Sequence, residues 1–102
     1  MIKAQERKKT VVATVIAMDY PKEGEHITNL DYTFRITAKG AGQVEIAVDN
    51  NEWQHCRQAD GFWWYDWAGY TSGKHQAVAR IKPENDGKER ISRTTRFQVE
   101  LQ

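Results

Sequence analysis

Apolar residues in this chain recur at every second position, and over no useful length do they recur at helical spacing. Tyr32, Phe34, Ile36 and Ala38 alternate with Asp31, Thr33, Arg35 and Thr37. Val44, Ile46 and Val48 alternate with Gln43, Glu45 and Ala47. His75, Ala77, Ala79 and Ile81 share a face, and so do Thr95, Phe97, Val99 and Leu101. A strand sends successive side chains to opposite faces, so each run predicts a strand with one buried side. Val11 to Met18 is apolar at both parities, which predicts a first strand buried on both faces.

Turn residues separate the runs. Pro21 and Gly24 follow the first, and Gly40 and Gly42 follow the next. Asp49-Asn50-Asn51 tolerates the left-handed backbone of a tight hairpin, so Glu52 to Arg57 is expected to return as its second arm. Asp60-Gly61 opens an aromatic strand from Phe62 to Trp67, and Gly69, Ser72 and Gly73 close it. Pro83 to Lys88, with Asn85-Asp86-Gly87, reads as a polar turn. About seven short strands spaced by roughly 8–12 residues predict an all-β sandwich.

The chain has 102 residues, enough for one domain with a modest core. Fifteen basic and 14 acidic residues leave a net charge of +1, which argues against general electrostatic binding of nucleic acid. No apolar run reaches the roughly 18 residues of a membrane helix. The basic head with Lys3, Arg7, Lys8 and Lys9 precedes an apolar stretch too short for a secretory signal and lacking a cleavage site. Residues 1–9 are therefore expected to be a frayed basic tail, and 10–102 a single domain. A cytoplasmic location is expected, where a lone thiol stays reduced; the alternative is part of a larger secreted parent.

At this point the motifs resemble a family. Val44-Glu45-Ile46-Ala47-Val48-Asp49-Asn50-Asn51-Glu52-Trp53 looks like the strand-turn-Trp hairpin of bacterial immunoglobulin-like domains. The similar dimerisation domain of sulfite-oxidase-type molybdoenzymes has the same hairpin. Trp63-Trp64-Tyr65-Asp66-Trp67 follows, and Gly73-Lys74-His75 resembles the Gly-x-His strand of those domains. Tyr20-Pro21, Gly24 and Asp86-Gly87 complete the order. The resemblance implies an immunoglobulin-like antiparallel β-sandwich. It implies no catalytic residue and no cofactor, because such folds host many unrelated roles. The paired cysteines of antibody domains are absent, and the chain has no room for a molybdopterin-binding domain.

Six of the eleven aromatic residues lie between Phe62 and Tyr70. Alternation puts Trp63, Tyr65 and Trp67 on one face, the expected core set, and Phe62, Trp64 and Asp66 on the other. Phe62 and Trp64 are too large and apolar for an idle solvent face, unless a loop or the N-terminal segment covers them. Tyr70 and Trp53 are candidates to extend this patch. The expected function is a non-catalytic binding module, with Trp53, Phe62, Trp64, Asp66 and Tyr70 contacting a protein partner or a second copy. The alternative is a carbohydrate-binding module that stacks sugars on Trp64 and neighbouring rings. A third class adds the terminal strand to the sheet of another chain.

Other chemistry has weaker support. His55 and Cys56 are adjacent and point to opposite faces of a strand, which prevents joint metal chelation. His26 and His75 stand alone in sequence, and no metal ligand set is assigned. Cys56 has no disulfide partner within the chain and reads as a small strand residue. Ser72 and Ser92 lack a nucleophile elbow, and no motif pairs Glu23, Glu25, Asp31, Asp60 or Asp66 for acid–base work. The chain is therefore read as not an enzyme.

Overall fold

The computed structural model describes residues 15–40, 42–82 and 90–102. The expected tail (1–9), the start of the first strand (Val11 to Thr14) and the polar turn at Pro83 to Lys88 lie outside the described residues. Among the described residues there are ten strands and no helix: β1 Ile16–Tyr20, β2 His26–Ile27, β3 Asp31–Ala38, β4 Val44–Val48, β5 Gln54–His55, β6 Arg57–Ala59, β7 Phe62–Ala68, β8 Gly73–Ile81, β9 Arg90–Ile91 and β10 Thr95–Val99. They form two packed sheets, ordered β1-β3-β7-β6 and β2-β10-β8-β4-β5, with β9 also on β8.

The expected seven strands correspond to seven passes of the chain, and three of them are broken. The first pass starts in the first sheet as β1, turns at the buried Pro21, and joins the second sheet as β2. Because of that crossing β2 lies parallel to β10, the one parallel pair among the described strands of an otherwise antiparallel sandwich, as expected. The hairpin arm expected over Glu52 to Arg57 is also split. Two residues pair with β4 as β5, the chain crosses at Cys56, and β6 pairs with β7 in the opposite sheet. The last pass is interrupted at Ser92. Its hydroxyl accepts the Ala79 N–H at 2.9 Å and donates to the Arg93 carbonyl at 3.0 Å, satisfying backbone groups that regular pairing leaves open.

The terminal strand β10 sits between β2 and β8, so it is not the free edge that strand addition through it requires. Asp49 and Asn50 adopt φ of 56° and 62°, and the Asn51 N–H reaches the Val48 carbonyl at 3.0 Å, a left-handed tight turn. Asp60 and Gly61 form the same kind of turn between β6 and β7. Both turns match the residue types the sequence offers there.

Phe34 occupies the middle of the core, fully buried. Tyr32, Tyr65, Trp67 and Phe97 meet it edge-on at 5.5–6.1 Å between ring centroids, the geometry favoured by aromatic quadrupoles. Trp63, Tyr65 and Trp67 pack inward, as their parity predicts. Two readings of individual strands change. Every residue of β4 is buried, Glu45 and Ala47 included, where one solvent face was expected. In the described part of the first strand Ile16 is buried but Ala17 is exposed, so β1 is one-sided. It is an edge strand, and only one of its faces meets the opposite sheet.

Candidate functional site

The outer face of the first sheet carries a row of side chains across all four strands. Tyr20 pairs with Arg35, Arg35 with Trp64, and Trp64 with Arg57. Directly opposite residues on neighbouring strands touch, so this register builds a continuous surface. A register shift between Met18 and Tyr20 completes the row. Asp19 and Tyr20 both come to oppose Arg35, the two-against-one arrangement of a bulge. The Arg35 guanidinium lies 4.9 Å from the Tyr20 ring centre and 4.3 Å from that of Phe62. Its Nε donates to Asp19 Oδ2 at 3.3 Å, and Thr37 donates to the same oxygen.

Phe62 and Trp64 meet edge-on at 5.9 Å, and both are half-buried. The Trp64 indole N–H donates to the Ala59 carbonyl at 2.9 Å, which locks the ring against the neighbouring turn. Asp66 accepts both Nε and an Nη of Arg57 at 3.2 Å, and Thr33 Oγ1 at 3.1 Å. The hydrogen bonds from Arg57 and then Thr33 hold the Asp66 carboxyl below the usual carboxylate range, and the same contact raises Arg57. The face is therefore an alternation of rings and paired charges.

The structure brings Phe62, Trp64 and Asp66 together and separates them from the other two candidates. Trp53 lies against the second sheet, where its ring centre is 4.2 Å from the Arg80 guanidinium. Arg80 in turn meets the buried Glu45 at 2.8 Å, and His55 reaches Glu45 from the other side at 3.2 Å. Tyr70 stacks on Trp67 at 3.9 Å and donates its hydroxyl to the Asn29 carbonyl, so it closes one end of the core. Adjacency in sequence concealed this, because Trp53 precedes the sheet crossing and Tyr70 follows the end of β7. Arg35, Tyr20 and Arg57 escaped the sequence reading. The outward parity of Arg35 was legible, but the bulge that turns Tyr20 toward it was not.

His75 and Cys56 have structural environments. His75 Nδ1 is 2.6 Å from Asp49 Oδ2 and Nε2 is 2.8 Å from the Thr71 carbonyl. Both partners are acceptors, so the protonated ring, with both nitrogens donating, is the form that satisfies them together. Burial opposes this charge, but the bonds to Asp49 and Thr71 outweigh it and raise the pKa. The ring stacks on Phe97 and meets Trp67 edge-on. Burial, aided by the Glu45 charge, pushes the Cys56 thiol up to about 12, which makes it a poor nucleophile at neutral pH. Among the described residues no three His, Cys, Asp or Glu side chains converge as metal ligands.

The sequence matches no protein-family model and no curated protein. Solved structures do match its fold. Fibronectin(III)-like modules of Clostridium thermocellum CbhA are similar with a TM-score of 0.63 and 18% identity, over 84% of this chain and 96% of theirs. An engineered protein is similar with a TM-score of 0.66 and 16% identity, over 85% of this chain, which spans only 20% of that one. At such identities the likeness concerns the fold, which is an immunoglobulin-like all-β sandwich of the fibronectin(III)-like kind.

Proposed function

We propose that the chain is a non-catalytic protein-interaction module whose contact surface is the outer face of the first sheet, centred on Phe62 and Trp64 beside Asp66. The observation that carries this is the Arg35 guanidinium held between Tyr20 and Phe62, with Trp64 set edge-on to Phe62. A face already ordered in this way loses little side-chain freedom on docking, and Trp, Tyr and Arg are the residues that anchor interfaces. The partner is another protein or a second copy of this chain. Likeness to a fibronectin(III)-like module supports the modular reading. Membership of the bacterial immunoglobulin-like family rests on the hairpin and Gly-x-His motifs.

Carbohydrate binding is the second reading, favoured by the flat Trp64 indole two residues from the Asp66 carboxylate. Its weakness is that the polar groups are already engaged: the indole N–H by Ala59, and Asp66 by Arg57 and Thr33. The test compares wild type with folded Trp64→Ala in capture from cell lysate, sedimentation, and a glycan array. A partner or self-association lost on substitution supports the interaction module. Saturable glycan binding lost on substitution transfers the face to the carbohydrate reading. Trp53→Ala serves as the control outside the surface.

A further inference from the structure

A second feature lies where β1 borders the seam between the two sheets. A groove of about 880 Å3 runs between β1 and the segment leading into β10. Among the described residues four cations line it (Lys22, Arg35, Arg93 and Arg96) against two acids, Asp19 and Glu23. Both acids are engaged: Asp19 holds Arg35 and Thr37, and Glu23 accepts the Arg96 backbone N–H at 3.0 Å. The side chains of Arg93 and Arg96 are exposed and have no hydrogen-bond or ion-pair partner among the described residues. They arrive from the second sheet and Lys22 from the turn after β1, so their charge converges on one groove.

The wall formed by β1 adds a directional requirement. β1 is an edge strand and pairs only with β3 among the described residues. The Val15 carbonyl accepts the Lys39 N–H at 2.8 Å, so by antiparallel alternation Val15 and Ala17 bond toward β3. The backbone groups of Ile16 and Met18 then face the groove. Unpaired edge groups of this kind are satisfied by another extended backbone.

We propose that this groove binds an acidic polypeptide segment in extended conformation, which adds to the free edge of β1 and sets its carboxylates against Arg93, Arg96 and Lys22. Nucleic acid suits the cations but leaves the β1 edge unpaired, and no aromatic ring lines the groove for base stacking. The site is centred away from the Phe62–Trp64 pair, and Arg35 with its partner Asp19 borders both.

The test uses the full chain and a fluorescein-labelled peptide of alternating Glu and Val, read by anisotropy. The expected result is saturable binding that weakens with salt and falls about tenfold or more in Arg93→Glu with Arg96→Glu. Both positions are exposed, and circular dichroism and the urea midpoint check that the double variant stays folded. N-methylation of every second peptide residue abolishes binding in one phase and spares it in the other, because only one set of amides faces β1. Trp64→Ala leaves this binding unchanged, which keeps the outcome separate from that for the aromatic face. The proposal is overturned if the peptide does not bind, if the double variant binds equally well, if both methylation phases behave alike, or if oligo(dT) of equal length binds more tightly.

Discussion

The two outer faces of the sandwich use the same parts and put them to opposite uses. On the first sheet Arg35 rests on Tyr20 and Phe62 and pairs with Asp19. On the second sheet Arg80 rests on Trp53 and pairs with Glu45. The difference is burial. The Glu45 side chain is only 6% exposed and Arg80 19%, whereas on the first face Arg35 and Asp19 are 32% and 22% exposed and the neighbouring Arg57 and Asp66 58% and 65%. Glu45 belongs to a strand in which every residue is buried, so Arg80 and His55 take the place of water around its carboxylate. Asp66 is solvated and tolerates the loss of its partner. One arginine–aromatic–carboxylate cluster therefore holds the fold together, and the other leaves its rings available for contact.

The largest effect comes from the core beneath both faces. Phe34→Ala is expected to cost about 4 kcal/mol, because it empties a fully buried site ringed by four aromatics. Urea unfolding measures it, and a loss below about 1 kcal/mol contradicts the shared-core account. Next, Glu45→Gln is expected to cost about 2 kcal/mol, since the half-buried Arg80 guanidinium then faces a neutral amide. The matching change on the open face, Asp66→Asn, leaves the urea midpoint nearly unmoved. Equal shifts for the two variants would erase the distinction between the faces.

His75 supplies a pH-dependent effect at one end of the sandwich. Its pKa is raised in the folded state above the unfolded value of about 6.5. The native state then binds the proton more tightly, so the contribution is fully present below pH 6.5 and is lost as pH rises through the folded value. The urea midpoint is expected to fall across that window, and His75→Asn to flatten the slope. A wild-type midpoint that climbs there would count against the imidazolium. The smallest stability effect is that of Trp64→Ala, about 1 kcal/mol or less, because the ring is half-exposed and makes one hydrogen bond. Under the proposed function that variant separates binding from folding: partner contact is expected to be lost while the midpoint barely moves.

Much of the fold was legible because strand periodicity is local. The alternation in β3, β7, β8 and β10 predicts which side of each faces the core, and Phe34, Trp63, Tyr65 and Phe97 pack where parity puts them. The left-handed turns at Asp49-Asn50 and Asp60-Gly61 were legible for the same reason, since few residues adopt that backbone. The site was legible in part. Phe62, Trp64 and Asp66 share a face through period two alone. Trp53 and Tyr70 do not join them, because a sheet crossing separates Trp53 from β7 and Tyr70 folds back over Trp67.

By itself the sequence determined the all-β class, the parity of the long strands, the tight turns, and a cluster of rings too apolar for an idle surface. Those properties depend on neighbours a few positions apart. Only the tertiary structure decided which outer face closes, through Glu45, Arg80 and Trp53, and which stays open. Only the structure showed the bulge that sets Tyr20 and Asp19 on Arg35, and the cationic groove beside the free edge of β1. Pairing partners lie tens of residues apart along the chain, and a shift of one residue in register reverses every face, so no local pattern contains that information.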